Sequence, residues 1–154
     1  MATPISALDL TKKFPRSPRE MLAGYIHAAR MTDKCRAVIA GTNGEYHFNC
    51  PLDRYLFDFT GIDAEAFKAF VATGADDAAV AEWITAHSKI KDRATLVAWN
   101  NQMRDMRLSE MPLPLQEFLE GYIPKFIPKN RPVRVWFDAN VPPEKRAEAW
   151  DANQ

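Results

Sequence analysis

The sequence predicts an all-α fold: a single domain over residues 1–154, built from about six short helices and an irregular, proline-rich C-terminal third. Three observations carry this prediction. Apolar residues recur at three- and four-residue spacing through the first two thirds of the chain. Capping residues stand just before those runs, and glycines stand just after several of them. Beyond Met111 the texture changes, because Pro112, Pro114, Pro124, Pro128, Pro132, Pro142 and Pro143 permit only short elements.

A chain of 154 residues can bury a core without covalent staples. Its 20 Lys and Arg balance its 20 Asp and Glu, for a formal net charge of zero. That balance argues against general nucleic-acid binding, which relies on a basic face. Cys35 and Cys50 are too few for a disulfide-framed secreted domain. The N-terminal residues show no signal-peptide pattern, and every long apolar stretch is interrupted by charge. The expectation is a cytoplasmic protein with reduced thiols, bound to no membrane and no nucleic acid.

In chain order, residues 1–16 read as an arm. Ile5, Leu8 and Leu10 can dock on the body, and Lys12, Lys13 and Arg16 make a solvated basic edge. Ser17-Pro18-Arg19-Glu20 has the form of a capping box and predicts a helix start. Met21, Leu22, Tyr25, Ile26 and Ala29 follow at helical spacing. Thr32-Asp33 caps a second helix holding Cys35, Val38 and Ile39, unless the two are one longer helix. Gly41-Thr42-Asn43-Gly44 is a turn.

Cys50 or Asn49 then caps a helix with Pro51 in its first turn. Leu52, Tyr55, Leu56 and Phe59 form its apolar stripe, and Gly61 closes it. Asp63 caps the next, with Phe67, Phe70 and Val71 inward and Gly74 at its end. Asp76 or Asp77 caps another, with Val80, Trp83 and Ile84 inward. This helix pair has a helix-turn-helix outline. Asp63, Glu65, Asp76, Asp77 and Glu82, against Lys68 and Lys89, make it acidic, which a phosphate-facing element is not.

Asp92 caps a helix through Met106, with Leu96, Trp99, Met103 and Met106 on its apolar side. The three amides after Trp99, namely Asn100, Asn101 and Gln102, read as exposed helix surface. After it, Leu115–Tyr122 is a short helix, Val133–Phe137 is a docked extended segment or helical turn, and Pro142-Pro143-Glu144 starts a last helix through Trp150.

Reactive groups are densest in Gly44-Glu45-Tyr46-His47-Phe48-Asn49-Cys50-Pro51-Leu52-Asp53. This run resembles the signature of a bacterial domain-of-unknown-function family, number 5069. The resemblance extends to Asp9-Leu10, Pro15-Arg16-Ser17-Pro18, Leu22-Ala23-Gly24-Tyr25, Asp33-Lys34, Phe59-Thr60-Gly61-Ile62-Asp63, Glu82-Trp83-Ile84, Trp99-Asn100-Asn101 and Trp136-Phe137-Asp138. It implies a small, mostly helical domain and no particular activity.

The residues themselves support three chemistries. In the preferred one the chain is a small binding or interaction module for a small molecule or a protein. Tyr46, Asn49, Asp53 and Arg54 are its contact residues among crowded aromatics, and no cofactor is involved. An alternative is a thiol-dependent enzyme in which Cys50, at a helix N-terminus, is served by His47 and oriented by Asp53. A third is zinc held by His27, Cys35, His47 and Cys50, although their spacing matches no known zinc pattern. Against all three stands the plain reading: Cys50 a cap, His47 a surface ring, and Asp53 a first-turn carboxylate favouring the helix dipole. His87, at a predicted helix C-terminus, is explained by the dipole alone. No phosphate loop, nucleophile elbow or dinucleotide fingerprint is present.

Overall fold

The computed structural model describes residues 7–107, 112–114, 116 and 117. Among them the chain forms a two-stranded antiparallel hairpin, β1 (Met21–Leu22) and β2 (Tyr25–Ile26). Five helices follow: α1 (Ala28–Ala40), α2 (Pro51–Thr60), α3 (Ala64–Val71), α4 (Asp77–His87) and α5 (Arg93–Arg104). The chain divides into two compact units, Met1–Ala98 and Trp99–Gln154, with α5 running across the division. In the second, Trp99, Asn100 and Met103 are buried. The predicted helices over Leu115–Tyr122 and Pro142–Trp150, and the segment Val133–Phe137, lie in whole or in large part outside the described residues. No helix among the described residues is long and apolar enough to cross a membrane.

The main departure from the all-α expectation is at residues 17–27. The predicted helix from Ser17 is instead a turn and a hairpin. Ser17 does use its side chain locally, accepting the Arg19 N–H at 3.1 Å, and the Glu20 N–H reaches the Ser17 carbonyl. The chain then doubles back, with Met21 opposite Ile26 and Leu22 opposite Tyr25. Ala23 (φ 57°) and Gly24 (φ 82°) both take left-handed backbone, as a two-residue hairpin loop with native twist requires. Gly24 is therefore the local breaker. Tertiary contacts complete the override: Tyr25 and Ile26 are buried, and the Tyr25 hydroxyl hydrogen-bonds Ser88 Oγ at 2.8 Å. The His27 N–H closes the hairpin onto the Pro18 carbonyl at 2.7 Å.

α1 therefore starts later than the hairpin and earlier than Thr32. His27 is its N-cap, in left-handed backbone at φ 71°. Thr32 lies inside the helix, its hydroxyl donating to the Ala28 carbonyl at 2.8 Å. Asp33 is not a cap but the anchor of the N-terminal arm. It accepts from the Arg16 backbone N–H at 2.8 Å and from the guanidinium Nε and Nη2 at 3.0 Å each. The same guanidinium reaches Asp77 at the start of α4, 2.8 Å from Nη1, and Arg36 binds that carboxylate from α1 at 2.8 Å. Partial burial works against Arg16's charge, but Asp33 and Asp77 hold its pKa above the ordinary arginine value. Asp77 is pulled below 3.8 by Arg16 and Arg36 in spite of its own burial.

The remaining helices follow their local signals. Cys50 is the N-cap of α2, Pro51 is its first residue, and Gly61 ends it at φ 75°. Asp63 caps α3 through the Ala66 N–H, and Asp76, rather than Asp77, caps α4 through the Ala79 N–H, each at 2.9 Å. Asp92 caps α5 through the Thr95 N–H at 3.0 Å. The apolar faces of α2, α3 and α4 meet around Phe67, which is wholly buried, with Phe57, Phe48 and Trp83 ring centres 5.7, 6.1 and 5.9 Å away. The α2 stripe is corrected in one respect, since Leu52, Leu56 and Phe57 are buried while Tyr55 and Phe59 are half-buried.

The hairpin loop carries a testable cost. Alanine in left-handed backbone is disfavoured by about 1 kcal/mol, and Asn-Gly is the preferred pair for this loop. Ala23→Asn is expected to stabilise the protein by up to about 1 kcal/mol in urea denaturation. Unchanged or lower stability would show that the loop is not of this type.

Candidate functional site

The chemistry of the chain concentrates where α1 lies beside the first turn of α2. Asp53, third residue of α2, is wholly buried, which a carboxylate tolerates only when its lone pairs are taken. Its Oδ1 accepts from His27 Nε2 at 2.6 Å and lies 3.0 Å from Lys34 Nζ. Its Oδ2 accepts from Lys34 Nζ at 3.1 Å and from the backbone N–H groups of Asn49 and Cys50 at 2.9 and 3.4 Å. Lys34 Nζ also lies 3.1 Å from Cys50 Sγ. His27, the N-cap of α1, and Lys34, two turns further on, are themselves 1% and 4% exposed.

Burial alone would raise the Asp53 pKa. The His27 hydrogen bond and the Lys34 ammonium win, and hold it at about 2. For His27 the balance falls the other way. Burial lowers its pKa below 6.5, more than Asp53 raises it, and Lys34 and Arg30 add to the lowering. The neutral ring with its proton on Nε2 fits this arrangement, since Nε2 then donates to the carboxylate. Nδ1 is left buried with no hydrogen-bond partner.

The loop ahead of α2 is fixed by the same construction. Phe48 inserts between Phe57 and Phe67, with ring centres 5.9 and 6.1 Å away. The Arg30 guanidinium stands 5.6 Å above the Tyr46 ring, and Asn43 Nδ2 donates to the Tyr46 carbonyl at 2.8 Å. Asn49 takes left-handed backbone at φ 64°, a conformation asparagine accepts more readily than most residues. That turn aims both the Asn49 and Cys50 N–H groups at one carboxylate oxygen. His47 and Arg54 stay exposed, and Tyr46, Asn49 and Cys50 are half-buried.

The sequence-derived candidates are thus divided. Tyr46, Asn49 and Arg54 lie at the surface around the start of α2. Asp53 lies beneath them, saturated by protein groups, and holds the loop in place. The Cys50–His47–Asp53 set does not assemble as a triad. Asp53 binds His27 rather than His47, and the thiol contacts Lys34 while His47 points to solvent. Nor is the zinc set brought together: no group of three or more His, Cys, Asp or Glu among the described residues is placed to hold a metal ion. Cys35 is wholly buried, and burial pushes its thiol up to about 12.

Sequence reasoning missed Lys34 and assigned His27 to the wrong cluster. One signal was available. His27, Met31, Lys34, Cys35 and Val38 fall on one helical stripe, and a lysine on such a stripe requires a buried acidic partner. Nothing local identifies that partner as Asp53.

The chain matches the family described as Domain of unknown function (DUF5069) over residues 12–146, and it belongs to that family. No curated protein matches it. The matched span contains the whole cluster as well as the Arg16 anchor.

Two outcomes test the cluster. Asp53→Ala leaves the Lys34 ammonium buried without its counter-charge and is expected to cost about 3–5 kcal/mol in denaturant unfolding. A loss below about 1 kcal/mol would match an exposed pair instead. Acidification destabilises through both groups. His27 binds its proton more weakly in the folded chain, so stability falls once the pH drops below 6.5 and the unfolded chain protonates first. Asp53, with a folded pKa of about 2 against an ordinary 3.8, adds stability present above about pH 4 and lost as the pH falls towards 2. In His27→Gln, the part of the pH dependence between about 6.5 and 4 is expected to flatten in urea unfolding series. An unchanged slope would exclude His27 as its source.

Proposed function

We propose that the chain is a binding module for a small molecule or a protein segment, with its contact surface at the start of α2. The observation that supports this reading is the pinning of the 45–50 loop. Phe48 holds it in the core, Arg30 covers Tyr46, and Asp53 ties down the Asn49 and Cys50 amides. A loop of this kind presents polar groups without an ordering cost on binding, which is the general basis of preorganised recognition. Asn49 supplies a donor and an acceptor, Arg54 a fork of donors, and Tyr46 and His47 flat rings. In this reading Asp53 is a positioning residue, because its oxygens are already used. The two cysteines are both unpaired, which supports a cytoplasmic setting. The balanced charge supports a partner other than nucleic acid or membrane.

A thermal-shift screen of metabolites and short peptides tests the reading, with any hit measured again on variants. Asn49→Ala and Arg54→Ala are each expected to weaken a hit by about tenfold, worth ~1.4 kcal/mol, with the fold unchanged by circular dichroism. A hit that binds both variants as tightly as the parent chain would place the site elsewhere.

A further inference from the structure

The contact between Lys34 and Cys50 belongs to neither the fold's capping chemistry nor the binding surface. Cys50 is half-buried, so part of the residue reaches solvent, and it sits at the N-terminus of the ten-residue α2. Lys34 is 4% exposed, and its Nζ lies 3.1 Å from Cys50 Sγ. Asp53 grips that Nζ with both oxygens, at 3.0 and 3.1 Å, so the group cannot swing away to solvent. Once deprotonated, an amine fixed in contact with a sulfur atom acts at a very high effective concentration. Cys35, wholly buried in the middle of α1, has no such access.

We infer that Cys50 and Lys34 form a peroxide-triggered cross-linking site, in which a sulfur–nitrogen bond joins Cys50 Sγ to Lys34 Nζ. In the first step Cys50 sulfur attacks a peroxide oxygen. The S–O bond forms, the O–O bond breaks and, with hydrogen peroxide, one water leaves. Sulfur is oxidised by two electrons and the peroxide is reduced by two, leaving a sulfenic acid. In the second step Lys34 Nζ, having given up its ammonium proton to solvent, attacks that sulfur. The S–N bond forms, the S–O bond breaks and a second water leaves, with no further oxidant consumed. The product is a sulfenamide, the known fate of a sulfenic acid held against a nitrogen nucleophile. Asp53 then keeps His27 and the two amides as partners, so the carboxylate is not stranded when the ammonium is lost. The inference is independent of whether the α2 surface binds a ligand.

The test treats the folded full chain with stoichiometric hydrogen peroxide, then blocks free thiols and reads intact and tryptic masses. The expected product is two hydrogens lighter than the reduced chain and returns to the original mass with dithiothreitol. Trypsin no longer cuts after Lys34, and the Lys34 and Cys50 peptides travel as one species. Cys35→Ala keeps the same mass loss. Lys34→Arg, which retains a cation beside Asp53, loses the cross-link and instead yields a Cys50 sulfenic acid trapped by dimedone. A mass loss that vanishes in Cys35→Ala would reveal a Cys35–Cys50 disulfide and overturn the inference. Dimedone labelling of the parent chain equal to that of Lys34→Arg would overturn it as well, and so would no reaction of the folded parent chain. If Lys34→Arg fails to fold, the digest of the parent chain and of Cys35→Ala decides alone.

Discussion

A carboxylate with no solvent exposure lies in the first turn of α2, and much of the local architecture is the means of satisfying it. An isolated buried charge costs far more than the few kcal/mol by which a domain is stable. Asp53 is tolerated because α1 supplies a histidine and a lysine to it, and the loop ahead of α2 supplies two backbone N–H groups. Those partners come from two stretches of chain. Their convergence fixes the position of α1 beside α2 and the path of the 45–50 loop. The positive φ values at His27 and Asn49 fall at the two points where the backbone turns to bring its groups to that carboxylate. Local strain there is offset by the interaction it permits.

A second charged clamp does the same for the ends of other elements. Arg16 ties the N-terminal arm to Asp33 on α1 and to Asp77 on α4, and Arg36 braces Asp77 from α1. The two clamps differ in exposure and therefore in kind. Asp77's side chain is 44% exposed, so screening by water limits what its pairs contribute, whereas the side chains of His27, Lys34 and Asp53 are buried. Alongside these charges stands the aromatic cluster of Phe48, Phe57, Phe67 and Trp83. It supplies apolar burial without direction, while the charges supply direction.

This division bears on function. The groups that look most reactive in the sequence are not arranged as one catalytic set. Asp53 and His27 are enclosed, His47 is outside, and Cys50 stands at the boundary with a buried lysine behind it. What reaches solvent is a rigid loop with an amide, a guanidinium and flat rings, which suits recognition. The thiol is in contact with the enclosed lysine and not with the nearby histidine.

Helix boundaries were legible in the sequence where the signal is local. Cys50-Pro51, Asp63, Asp76 and Asp92 start helices, and Gly61 ends one, because capping is settled within a few residues of chain. The family was legible too, since its resemblance is carried by contiguous residues. The hairpin at Met21–Ile26 was not. Its apolar spacing fits a helix as well as two short strands, and burial of Tyr25 and Ile26 decides between them. The partner of Asp53 was not legible either. Two histidines and a lysine are compatible with it in composition, and only the packing of α1 against the first turn of α2 selects His27 and Lys34. The sequence by itself determined where α2 to α5 begin, because backbone capping is a short-range interaction, but not the start of α1 at His27, which follows a hairpin fixed by tertiary burial. The tertiary structure decided which charges meet, because pairing inside a core is set by distance in space and by the exclusion of water.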